Sequence, residues 1–83
     1  MPNNRNALQA EIDQNYAYFK TVLPRLIVSR KGEYALIRHQ EIVEFFDDGY
    51  AAFLSGRDRF SDQLFSVQEI DDRIVDLGIF SRV

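Results

Sequence analysis

An 83-residue chain with no cysteine can hold neither a disulfide nor a thiolate zinc site, so its stability must rest on packing. Its 46% hydrophobic and 28% charged residues are the balance of one globular domain, residues 1–83, and not of a disordered segment. A net charge of −3 and a pI near 5.0 argue against nucleic acid as a partner, and no apolar run nears the roughly 20 residues of a membrane span.

The opening "MPNNRN" is polar and is expected to fray; it has no apolar segment that could serve as a secretion signal, so a cytoplasmic location is expected. Leu8, Ile12, Tyr16, Phe19, Leu23 and Leu26 then step by three or four residues, which is one face of an α-helix. Asn6 is placed to cap this helix, with Gln9 three residues later. Pro24 lacks an amide proton and crowds the turn before it, so the helix is expected to kink or break near residues 20–23 and resume as a short second piece. Lys31-Gly32 reads as the stop, with Gly32 at positive φ.

"EYALIRH" and "EIVEFF" are rich in strand formers, and "RHQE" between them predicts a tight hairpin. Simple alternation puts Tyr34 and Leu36 on one face and Ala35 and Ile37 on the other. It likewise separates Ile42, Glu44 and Phe46 from Val43 and Phe45. Asp47 or Asp48 is a good N-cap for a short helix carrying Tyr50, Phe53 and Leu54, with Gly56 as its end. "RDRFSDQ" is a loop, "LFSVQEI" a third strand, "DDR" a turn and "IVDLGIFSRV" a fourth strand. The prediction is an α+β domain of order α-β-β-α-β-β, with one small antiparallel or mixed four-stranded sheet and both helices on one face.

"LPRLIVSRKGEYALIRHQEIVEFFDDGYAAF", "FSVQEI" and "VDLGIFSRV" together resemble a group of small uncharacterised bacterial proteins. Members have a Gly-Lys/Glu-Tyr segment opening a strand pair, and a Phe-Phe-Asp segment before a short helix. They also have a Phe-x-Val-Gln-Glu segment and a closing Val-Asp-Leu-Gly segment. The likeness covers residues 23–83. It implies a compact bacterial domain and carries no activity, cofactor or catalytic residue.

The residues offer chemistry little. His39 is the only histidine and reads as a solvated turn residue, because a metal site needs three or four convergent ligands. Asp47-Asp48 and Asp71-Asp72 could approach a cation, but helix capping and turn formation account for them more simply. No catalytic, metal or cofactor site is called. Tyr16, Tyr18, Phe19, Tyr34, Tyr50 and Phe53 read as core before they read as a ligand pocket.

One sheet face stands without cover in this reading, and either the long first helix reaches it or another subunit does. Ala35, Ile37, Val43 and Phe45 lie on it, and Tyr18 falls off the main stripe of the first helix. These five residues are therefore the expected interface, and a homodimer the expected state. The leading functional expectation is a non-catalytic protein–protein interaction module that buries a sheet face or pairs a free strand edge. The alternative is a small-molecule or enzymatic site at a dimer cleft, drawing His39, Arg38 and the aspartates from two chains.

Overall fold

The computed structural model describes residues 4–72. They form α1 (Asn4–Arg30), β1 (Tyr34–Arg38), β2 (Glu41–Phe46), α2 (Gly49–Arg59) and β3 (Ser66–Glu69). The sheet is antiparallel, in the order β2-β1-β3. The expected α+β class holds, and the third strand joins beside the first, as the crossover helix requires. The predicted fourth strand lies outside the described residues.

α1 is one helix of 27 residues with Pro24 inside it, so the expected second helical piece is not a separate element. Packing explains the continuity. Phe19 and Leu23 before the proline and Leu26 and Ile27 after it rest on the same core, and that shared burial outweighs one lost backbone bond. α1 also begins before Asn6, which puts the predicted cap inside the helix; the Gln9 side chain donates to Asp13 instead (2.9 Å).

The chain leaves α1 through a turn in which the Glu33 amide donates to the Arg30 carbonyl (3.0 Å). Gly32 has φ +95° there, a conformation that a side chain would strain. Gly32 N–H then donates to the Ile70 carbonyl and Ile70 N–H to the Glu33 carbonyl, both at 2.8 Å. Gly32 is thus the left-handed first residue of a bulge that extends the β1–β3 pairing past Glu69.

β1 is the buried centre, and its two faces meet different helices. Ala35 and Ile37 join Phe19 and Leu23 of α1 in the main core, with Ile70. Tyr34 and Leu36 meet α2 at Gly49 and Gly56. The expectation of both helices on one face is therefore wrong: the sheet lies between α1 and α2. The physical reason is in β1 itself, where Ala35, Leu36 and Ile37 are all fully buried and both faces need an apolar layer.

β2 departs from simple alternation in an instructive way. Phe45 pairs with Ala35 and Glu44 with Leu36, but Ile37 pairs with Ile42, so Val43 is an extra, bulged residue. The bulge turns Ile42 to the same side as Phe45, against the α1 core, while Glu44 faces α2 and pairs with Arg59. The expected grouping of Ile42 with Glu44 and Phe46 is corrected accordingly.

α2 starts where predicted: the Asp48 carboxylate accepts from the Ala51 amide at 2.9 Å. Gly56, read as its end, lies within it instead, and the helix runs three residues further. That glycine is buried because α2 needs a side-chain-free position to approach Phe65 and Leu36.

Candidate functional site

The β1–β2 turn is the loop His39-Gln40, with φ of +53° and +63°. Two-residue hairpin loops favour positive φ at both positions because that twist matches the strands, and they usually place glycine or asparagine there. Here neither residue is glycine, and each left-handed residue costs on the order of 1 kcal/mol.

Two side chains one helical turn apart on α1 hold this turn. The Glu11 carboxylate accepts from His39 N–H (2.7 Å) through one oxygen, and from His39 Nδ1 (2.9 Å) through the other. Asn15 Oδ1 accepts from the Gln40 amide (2.8 Å) and from Gln40 Nε2 (3.0 Å). Asn15 Nδ2 donates to Glu11 (3.0 Å) and to the Ile37 carbonyl (3.1 Å). Both holding groups are buried, and Asn15 has no exposed surface. A carboxylate only accepts, so His39 Nδ1 carries the hydrogen that faces Glu11. The His39 ring is otherwise exposed, as expected of a turn residue, but it is tied to a helix 28 residues away in sequence.

Next to this clamp, Arg38 makes a two-pronged contact with Asp62 (2.7 and 3.1 Å) and donates to the Leu64 carbonyl (3.0 Å). Its guanidinium lies 4.4 Å from the centre of the Phe60 ring. Asp62 is held down to about 2 by the Arg38 bonds first and then by the Leu64 amide. For Glu11, burial is the largest influence and raises its pKa. The His39 amide, the Asn15 amide and the His39 ring together outweigh it, and the carboxyl sits below its usual value.

These two carboxylates set an acid limit on the fold. Their folded pKa values lie below ordinary values of 4.5 for Glu11 and 3.8 for Asp62. The stabilisation they bring is complete above the ordinary values and is lost as pH falls through the folded ones. Urea midpoints are therefore expected to fall once the pH drops below 4.5, with Asp62 still contributing loss down to about 2. Asp62→Asn should remove the lower part of that slope; an identical slope would show that Asp62 does not titrate with folding.

Beyond the clamp a cleft of about 400 Å³ follows the side of β3 that faces away from β1. Leu8 and Ile12 of α1 form one wall, and Phe53 of α2 with Phe65 forms the other; Ser66, Val67 and Gln68 are its floor. Leu8 and Phe53 are 37% and 45% exposed, large apolar side chains with much of their surface in water. The Phe53 and Phe65 rings are 6.0 Å apart and tilted. A second hollow shares Leu8 and Gln63 with the first and continues to Asp62, so the apolar slot ends near the polar clamp.

The five expected interface residues are spread differently from the sequence reading. Ala35 and Ile37 have no exposed surface, because α1 covers them. Tyr18 and Phe45 are half-buried against the same core, and the Arg30 guanidinium lies 3.9 Å from the centre of the Phe45 ring. Val43, at the bulge, is exposed. Asp48 caps α2, and Asp72 contacts Lys31 at 3.3 Å. Among the described residues no group of three or more His, Asp or Glu is placed to hold a metal ion, and no helix is long and apolar enough to cross a membrane.

Glu11 and Asn15 escaped the sequence reading, though a sign of them was there. They are a polar pair four residues apart, beside the apolar stripe and not opposite it. Leu8 and Ile12 belong to the predicted apolar face of the first helix and Phe53 to the expected core, and nothing in their spacing marks a slot. No family model, curated protein or solved structure matches the chain.

Proposed function

We propose that the chain is a non-catalytic protein–protein interaction module of a bacterial cytoplasm, acting as a homodimer. The observation that carries the docking role is the slot beside β3. It is apolar on both walls, it has large side chains exposed, and among the described residues only β1 pairs with β3. Unpaired strand edges next to apolar pockets are a recurrent way of engaging another chain. The working surface in this reading is the slot and not the sheet face expected from the sequence, which α1 occupies. The fourth strand read from residues 74–83 is a proposal too, and it competes with docking for the edge of β3: were it to pair there, the chain itself would fill the slot.

Phe53→Asp tests the reading. It places a charge on one wall without touching the clamp. Circular dichroism of the variant is expected to match wild type, while sedimentation shows its dimer weakened and affinity capture shows a stoichiometric partner lost. Equal self-association and the same captured proteins for both chains would exclude the slot as the docking surface.

The second reading, a small-molecule or enzymatic site at a dimer cleft, is favoured by one observation. Glu11 fixes Nδ1 of an exposed His39, which is how a carboxylate orients a histidine for acid–base work. Arg38, the other group that reading needs, is engaged by Asp62 and Leu64.

A further inference from the structure

On the reading that β3 is a docking edge, we infer the chemistry of what docks. It is an extended peptide segment, apolar at successive positions, with a lysine or arginine in register with Glu69.

The backbone argues for an extended segment. Ile70 directs both its N–H and its C=O toward Gly32 and Glu33, the residues that lead into β1. Main-chain groups alternate sides along a strand, so those of Val67 and Glu69 point the other way, away from β1; Val67 lines the slot and Glu69 follows directly on its last lining residue, Gln68. Two outward N–H and C=O sets two residues apart, about 7 Å, match a second strand and not a compact ligand.

The walls argue for apolar side chains. Successive side chains of a strand point to opposite faces. In this slot one face meets Leu8 and Ile12 and the other meets Phe53 and Phe65. A segment lying there buries apolar groups on both sides, as an inner strand does. The floor also carries a buried hydroxyl, Ser66 Oγ, with no hydrogen-bond partner among the described residues. A buried polar group in that state calls for one.

Charge sets the register. Arg38, Arg59 and Lys31 each have a carboxylate, from Asp62, Glu44 and Asp72 respectively. Glu69, the residue after Gln68 of the slot's floor, has no basic partner among the described residues. Its match is a cation brought by the incoming segment.

The experiment uses the full chain, labelled for amide exchange. It is titrated with a capped peptide Lys-Val-Ile-Thr-Val-Ile-Ser and with the same peptide carrying Glu in place of Lys. Saturable binding is expected, with exchange slowed at Val67 and Glu69. The lysine peptide should bind about threefold to fivefold more tightly, the size of one exposed ion pair, and Glu69→Lys should reverse the preference. Equal binding of the two peptides would overturn the role of Glu69. Amides already protected in the free chain would overturn a foreign segment. Sedimentation then decides the wider reading: a dimer keeps the interaction module with a second copy as the occupant, and a monomer ends it. Freely exchanging amides that neither peptide slows would remove both the segment and the docking edge.

Discussion

Asn15→Ala is expected to lower the stability of the fold by about 3 kcal/mol, a large effect for one polar side chain. Asn15 is fully buried and serves four groups: it accepts from Gln40 twice and donates to Glu11 and to the Ile37 carbonyl. Alanine leaves the Gln40 amide and the Ile37 carbonyl short of partners in a site that water reaches poorly. It also removes the donor that braces Glu11, which is then left to hold His39 alone. Asn15→Asp is expected to fare no better, since it keeps an acceptor but loses both donors and sets a second carboxylate beside Glu11. Urea denaturation should show a lower midpoint with an unchanged slope. A double-mutant cycle with Glu11→Ala should give a coupling above about 0.5 kcal/mol, because both residues hold the same strained turn. A loss below that figure for Asn15→Ala would mean that the two strands alone impose the left-handed pair at His39 and Gln40.

The same clamp marks the boundary of what the sequence made legible. The hairpin, the Asp48 cap and the positive φ of Gly32 were readable because each is fixed by residues within a few positions of one another. The Val43 bulge was not, since nothing local distinguishes an extra residue from the next step of an alternation; it is set by Ile37 reaching Ile42 across the ladder. The clamp joins residues 22 to 28 positions apart, and its members look ordinary in their own segments. Ala35 and Ile37 show the opposite error. Their apolar character is plain in the sequence and leaves two covers open, the first helix or a second copy; the expected interface follows the second, and the chain's own first helix provides the cover. Apolar pattern says that a face must be buried and is silent about what buries it. The slot beside β3 is hidden in sequence for a related reason: Leu8, Ile12 and Phe53 carry the signature of core residues, and it is the place of β3 at the edge of the sheet formed by the described residues that leaves them partly in water.

Gly56→Ala makes the second large prediction, and local propensity points the wrong way for it. In an exposed helix interior, alanine for glycine gains about 1 kcal/mol. At position 56 an added Cβ meets Phe65 Cε1 at 2.6 Å, Phe65 Cδ1 at 2.7 Å and Leu36 Cδ1 at 2.9 Å. These are closer than a methyl group can sit, and two sides of the space are closed at once. Phe65 is buried between Phe53 and Phe60, and Leu36 lies on the central strand with no exposed surface. Relief requires α2 to lift from the sheet or Phe65 to leave its place, and overpacking of this kind costs about 1–3 kcal/mol. The net expectation is a loss of about 1–2 kcal/mol, read as a lower melting temperature. Phe65→Leu tests the cause. Alone it should destabilise by opening space, but combined with Gly56→Ala it should recover part of the loss, giving a favourable coupling between the two sites. Additive losses would place the strain in the helix backbone and not in the contact with Phe65. Because Phe65 also forms a wall of the slot, the alanine variant carries a second expected consequence: any segment bound there should be held more weakly, in proportion to how far the ring has moved.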